Sequence, residues 1–281
     1  AAFRIPDLLF VLFASVLSIY VLLPFVNKAV EGGGPAAGGR ILSQVFTLFL
    51  LGYSVLAVIL AAAAPFLLPK LFPGLAGELP TLVLLTQILL LQPFLLGIST
   101  LCGVVTQMSH RFVLYALSPL LYNFGIIIGI VLLYPVFGLS GLAYGVVLGA
   151  AGHLAIQLPF VRRSDVSFAL IRDINWREIR EILQVSIPRA LTLSVNQLVL
   201  LVLIGMATVM TAGSVAVFQF AYNLQSVPLA IIGMSYSVAA FPTLSSLFAK
   251  QDQSGFNRQL LTALRHIIFW SVPIVALVVV L

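Results

Sequence analysis

The chain has 281 residues, of which 61% are hydrophobic and only 8% are charged. A soluble domain of that length needs far more charge to cover its surface, so a soluble globular protein is excluded. The formal charge of +6 invites a nucleic-acid reading, but the basic residues fall between apolar runs, as membrane orientation requires. No nucleic-acid partner is expected.

Eight apolar runs follow in chain order, at 6–26, 41–68, 79–105, 112–136, 139–161, 184–210, 215–248 and 260–281. Each is close to or above the roughly 20 residues that a helix needs to cross a ~30 Å hydrocarbon core. The expectation is an all-α polytopic helical membrane protein with about eight transmembrane helices. The first residue is not Met and the last lies inside an apolar run, so both ends read as cut from a longer protein. No signal peptide is visible.

The junctions carry helix-breaking chemistry. Gly32, Gly33, Gly34 and Pro35, then Gly38 and Gly39, read as a loop, and Pro69, Pro73 and Gly74 break the next junction. Pro135 and Gly138 leave room for only a tight turn. The loops also alternate in charge. Those near 27–40, 111, 162–180 and 250–265 hold Lys28, Arg40, Arg111, Arg162, Arg163, Arg172, Arg177, Arg180, Lys250, Arg258 and Arg265, which is 11 of the 14 basic residues. The opposite side keeps Lys70 and Arg4. By the positive-inside rule the rich side is cytoplasmic, and the first run passes from outside to inside.

One loop has an element of its own. Over 173–183 the sequence DINWREIREIL spaces Ile174, Trp176, Ile179 and Leu183 against Arg177, Glu178, Arg180 and Glu181. That spacing predicts a short amphipathic helix on the cytoplasmic interface, anchored by Trp176 and capped by Asp173, and serving as a hinge. A shift of 218 residues lays Pro24 on Pro242 and RILSQVF from Arg40 on RQLLTAL from Arg258. The shift holds six runs, an even number, so the copies share one orientation, as in transporters with two lobes. The expected domains are a first lobe at 1–163 with five spans, an amphipathic linker at 164–183, and the start of a second lobe at 184–281.

Polar residues inside the runs are the candidate cavity of a carrier. Arg189, Thr192 and Asn196 fall at i, i+3 and i+7, with Gln197 adjoining. The next run offers Gln219, Tyr222, Asn223 and Ser226 on one face, with Pro228 as a kink. The fourth run carries Tyr115, Ser118, Tyr122 and Asn123 beside Pro119. The plainer alternative is that these amides and hydroxyls bond between helices. His153 reads as a neutral packing residue and Cys102 as a small core residue. Asp7 and Glu181 lie at run edges, so no paired-carboxylate site, metal site or cofactor is expected, and no enzymatic activity.

The stretch AFRIPDLL from Ala2 is similar to the opening of the second helix in MurJ/MviN proteins. These are bacterial lipid II flippases of the multidrug/oligosaccharidyl-lipid/polysaccharide exporter (MOP) superfamily. Further matches follow in order: Arg111 and Phe112 with Pro119 and Asn123; Gln157, Leu158 and Pro159 before Arg162 and Arg163; SVNQ from Ser194; GSV from Gly213; and LAIIGMSYSVAAFPTLSSL over 229–247. The resemblance implies a two-lobed MOP-type transporter fragment, family helices 2–6 in the first lobe and 7–9 in the second. It implies alternating access across the bacterial inner membrane with lipid II, an undecaprenyl pyrophosphate-linked precursor, as cargo. Membrane lipids and cell-wall synthesis proteins are the other implied partners.

Departures accompany the resemblance. The family carries arginines where Phe10 and Val11 stand, glutamates at Ser15 and Ser226, and Asp-Arg at Tyr222 and Asn223; at Leu203 many members have an acidic or amide residue. Arg4, at a basic family position, and the non-family Arg189 are left as cationic candidates. Two alternatives therefore stand beside a lipid II flippase: an exporter of another lipid-linked glycan, and a non-transporting scaffold that kept the fold.

Overall fold

The computed structural model describes residues 1–249 and 251–280. Lys250, placed above in a basic loop, and Leu281, the last residue of the final run, lie outside the described residues. Among the described residues every regular element is helical, and the chain divides into two compact units, Ala1–Met210 and Thr211–Leu281.

Unit 1 opens with α1 (Arg4–Leu17) and α2 (Ile19–Leu71), separated at Ser18 by an extended φ/ψ of −57° and 132°. Helix α2 is non-helical only at Gly34 (φ 76°), so the glycine segment expected to be a loop is helix on both sides of one residue. A left-handed φ costs glycine little, and Pro35 is preset for the first turn of the helix that follows. The chain reverses there: a side chain at Gly38 would collide with Val26 and Val30. The stretch Arg4–Leu71 is one of seven among the described residues that are long and apolar enough to cross a bilayer. Its 68 residues correspond to about 100 Å of helical rise, and with this reversal they hold the first two expected spans.

The remaining elements of unit 1 are a 3₁₀ turn (Pro73–Glu78), α3 (Leu79–Leu89), α4 (Leu91–Met108), α5 (Phe112–Ile128), a π-helical turn (Gly129–Leu133), α6 (Tyr134–Phe137), α7 (Leu139–Ala155), α8 (Leu158–Val161) and α9 (Trp176–Thr208). The core between α1, α2 and α4 is aromatic. Phe13, Phe49, Tyr53 and Phe94 pack at centroid separations of 5.4–6.3 Å, and the Tyr53 hydroxyl donates to the Leu90 carbonyl at 2.5 Å. Helices α5 and α7 meet backbone to backbone. Gly125 and Gly129 face Gly149 and Gly145, and a Cβ at any of these four would strike main-chain atoms opposite, while one at Gly141 would strike the main chain of Leu133 and Tyr134. Small residues four apart allow this approach, and close packing drives helix association where lipid gives no hydrophobic gain.

The segment 162–175 is not helical. It crosses α2 shortly after the Gly34 reversal as an extended strap. Ser43 and Thr47 are one helical turn apart, a rise of about 6 Å, and alternate residues of an extended chain are spaced by about 6.6 Å. The match lets the Ala169 N–H donate to Ser43 Oγ at 3.1 Å and the Ile171 N–H donate to Thr47 Oγ1 at 3.0 Å. Each hydroxyl in turn donates to the carbonyl four residues before it. Gln44, fully buried, accepts the Asn175 N–H at 2.6 Å and donates to Glu178 at 2.8 Å.

Two expectations are corrected here. Asp173 is not the cap: its carboxylate pairs with Arg40 at 2.7 Å, and Asn175 caps α9 by accepting the Arg177 N–H. Nor is there a separate linker helix over 164–183. The amphipathic turns open α9 itself, and their apolar residues Ile179 and Ile182 are buried in the unit instead of lying on a membrane surface. With Trp176, Phe13 and Phe49 they line an apolar cavity of about 230 Å³.

Unit 2 comprises α10 (Ser214–Pro228), a π-helical turn (Leu229–Met234), α11 (Ser235–Ala249) and α12 (Gln253–Val280). The kink expected at Pro228 is this π turn, which follows a proline that cannot donate a helical hydrogen bond. Asp252 Oδ1 accepts the Gly255 N–H at 2.9 Å and the Ser254 hydroxyl at 2.8 Å, closing the start of α12.

Candidate functional site

In unit 1 the basic loops gather at one end. Arg40 reaches Asp173, and Arg111 lies over the ring of Phe160, which precedes Arg162 and Arg163 in the chain, at 5.8 Å. At the other end Gly205 packs on Leu71, Gly74 packs on Thr208, and Thr86 Oγ1 donates to the Ala2 carbonyl at 3.4 Å.

Arg189 projects from α9 between these ends. At about 1.5 Å per residue the helix is about 50 Å long, and Arg189 lies about 28 Å from Thr208. That places it at the basic edge of a ~30 Å apolar layer measured from the far end. Its guanidinium sits over the Tyr20 ring, 5.5 Å from the centroid. Thr192 bonds back to the Pro188 carbonyl at 3.0 Å, and Thr192 and Asn196 are exposed beyond Arg189 on the same stripe. Gln197 departs from that stripe. One residue is 100° of helical rotation, which turns it toward the packed face of α9. There its Oε1 and the Ser194 Oγ are buried without a hydrogen-bond partner.

The two cationic candidates are not brought together. Arg4 opens α1 within electrostatic range of Asp7, and Tyr20 lies about 24 Å of helical rise further along the chain. In unit 2 Gln219 and Tyr222 are half-buried, and Asn223 and Ser226 on the same face are exposed. Phe218 stacks on Tyr222 at 6.3 Å, and the Ser226 hydroxyl donates to the Asn223 carbonyl at 2.7 Å. The opposite face of α10, with Ala221, Leu224, Gln225 and Pro228, lines an apolar cavity of about 500 Å³ against Ile267, Ser271 and Ile274 of α12. The four polar candidates lie outside that cavity.

Sequence reasoning did not identify Tyr20, Gln44 or the buried network of α4 and α7. In that network Ser99 Oγ lies 2.7 Å from His153 Nδ1 and accepts from Gln157 Nε2 at 2.8 Å, with Thr106 beside Gln157. His153 is hydrogen-bonded between helices, as a packing histidine would be. Gln92 donates to the Tyr122 hydroxyl at 3.1 Å and keeps a buried, unpartnered Oε1. The pairing of Gln157 with Ser99 joins residues distant in sequence and carries no sequence signal.

Long apolar helices packed through glycine faces define an all-α polytopic membrane protein. The fold is similar to the inward-facing structure of a multidrug resistance MATE family transporter of the MOP superfamily, with a TM-score of 0.68 at 15% identity over 99% of this chain and 64% of that one. The particular family follows from the sequence: the profile described as Lipid II flippase MurJ matches residues 1–281, and the chain belongs to that family. Lipid II flippase MurJ of Burkholderia cenocepacia is 24% identical over 97% of this chain and 54% of its own length. The probable lipid II flippases of Rickettsia prowazekii (24%, covering 97% of this chain and 54% of the relative) and Thermotoga maritima (25%, 78% and 44%) are similar. The chain therefore spans about half the length of these relatives.

Proposed function

We propose that this chain moves lipid II, an undecaprenyl pyrophosphate-linked peptidoglycan precursor, across the bacterial inner membrane by alternating access of two lobes. The lobes are 1–163 and 184–281, joined through 164–183. The polar head group crosses along the stripe of Arg189, Thr192 and Asn196. The polyprenyl tail stays in lipid.

The observation that carries this reading is the state of Arg189. Among the described residues it makes no hydrogen bond or ion pair, so a cation at the edge of the apolar layer keeps its donors for an anionic guest. Insertion scales put an arginine at the centre of a spanning helix at about 2.5–3.5 kcal/mol, and its planar fork suits phosphate oxygens. Arg189→Ala abolishes flipping of lipid II in proteoliposomes while leaving expression intact, and Arg189→Lys restores it in part. Unchanged flipping in the alanine variant would overturn the reading.

A second reading is favoured by the family positions that carry no charge here, Phe10, Val11, Tyr222 and Asn223. It gives the same fold a less anionic lipid-linked glycan as cargo. Competition by a neutral lipid-linked glycan stronger than that by lipid II in the same assay selects it.

A further inference from the structure

Arg189 is held by a ring and not by a carboxylate, and from this we infer that Tyr20 is a positioning residue that presents the guanidinium to a phosphoryl group. The inference rests on the proposed role of Arg189 as the anion receptor. Arg111 likewise lies over a ring, that of Phe160, but at the basic loops and not within α9, whereas two other arginines of unit 1 have carboxylate partners. Arg40 is paired with Asp173, and Arg177 lies 3.9 Å from Glu181. A carboxylate neutralises the cation and occupies its fork. An aromatic face attracts the cation through the ring quadrupole and leaves all five N–H donors at the guanidinium edge unfilled.

Three features place the ring for this task. The extended break at Ser18 ends α1 and starts α2 afresh, which puts Tyr20 in the first turn of a new helix. The Tyr20 side chain is 82% exposed, so its position is not dictated by core packing. Arg189 follows Pro188, which lacks an N–H and leaves the carbonyl one turn earlier without its helical partner, so the local backbone is polar where the guanidinium emerges. Without the ring, a long side chain at the layer's edge would snorkel toward water and lose its aim.

Binding of inorganic pyrophosphate to the detergent-solubilised protein, followed by titration calorimetry, tests the pair without requiring transport. Tyr20→Phe keeps the affinity within about twofold. Tyr20→Leu weakens it by about two- to fivefold, the range of an exposed cation–π contact. In an Arg189→Ala background Tyr20→Leu has no further effect, because the two residues act as one unit. Arg111→Ala, which removes the Arg111–Phe160 pair, serves as the control and leaves the affinity unchanged. Wild-type affinity in Tyr20→Leu, losses that add in the double variant, or no measurable pyrophosphate binding would each overturn the inference. The two readings fail separately: Tyr20-dependent pyrophosphate binding alongside Arg189-independent flipping removes the proposed function and keeps the receptor.

Discussion

Gln44 and Asn175 lie far apart in sequence, yet the buried side chain of Gln44 accepts the Asn175 backbone N–H at 2.6 Å and so fixes where α9 begins. The same amide donates to Glu178 in the first turn, where a carboxylate is favoured by the helix dipole. Gln44→Leu keeps the volume and leaves both groups unpaired. A buried polar group without a partner costs about 1–3 kcal/mol, so a clear drop in thermal midpoint is expected. Ser43→Ala with Thr47→Val has a milder effect, because the Ala169 and Ile171 amides can turn to water. Hydrogen exchange at those two amides rises while the thermal midpoint moves little. Equal midpoints for Gln44→Leu and wild type would show that the clamp is dispensable.

The glycine seam of α5 and α7 makes a position-specific prediction. A Cβ at Gly145 would overlap the Gly129 backbone, and backbone cannot move aside as a flexible side chain does. A Cβ at Gly152 meets the Leu121 side chain at 3.6 Å, an ordinary contact. Gly145→Ala therefore lowers folded yield and midpoint, by overpacking of about 1–3 kcal/mol or more, whereas Gly152→Ala is tolerated. Expression monitored by size-exclusion chromatography separates the two.

The spans were legible because run length against bilayer thickness is a one-dimensional property, and so was the family, through motifs in fixed order. What escaped notice depends on pairs distant in sequence. Ser43 and Thr47 look like ordinary hydroxyls until an extended strap of matching pitch lies on them. Tyr20 gave no signal, since an exposed ring has no partner in sequence. Asp173 and Asn175 are equivalent as caps by residue type, and the pull of Arg40 on Asp173 decided between them. The glycine cluster at 32–39 was over-read: a glycine costs only about 1 kcal/mol in a helix, so helix persisted except at Gly34, where a positive φ was needed. Asn196 and Gln197 were grouped by adjacency, although neighbours on a helix face different ways.

Asp252 gives a pH dependence outside the spans. Hydrogen bonds from the Gly255 N–H, then from the Ser254 hydroxyl, hold its carboxyl below the ordinary value of 3.8. A depressed folded pKa means that the carboxylate contributes stability above 3.8, and this is lost as pH falls through the folded value. Local hydrogen exchange at Gly255, corrected for the intrinsic pH effect, should be flat from neutral pH down to about 4 and accelerate below it. Asp252→Asn keeps an acceptor and removes the acid limb. An acid limb that persists in Asp252→Asn would assign the transition to another group.

Sidedness is tested by labelling in intact cells. Three contacts carry the expectation: Arg40 with Asp173, Arg111 with Phe160 and Gln44 with Glu178 gather basic loops at one end of unit 1. Lys70 closes α2, next to the residue on which Gly205 packs at the opposite end. Loops rich in lysine and arginine are retained on the cytoplasmic face, and short loops obey this bias most strongly. The buried Cys102 is out of reach of a polar maleimide, so it needs no replacement. Lys70→Cys should therefore react with an impermeant maleimide added outside, and Lys28→Cys only after the membrane is opened. The reverse pattern would invert the protein in the membrane and would move Arg189 from the cytoplasmic edge of the apolar layer to the outer edge.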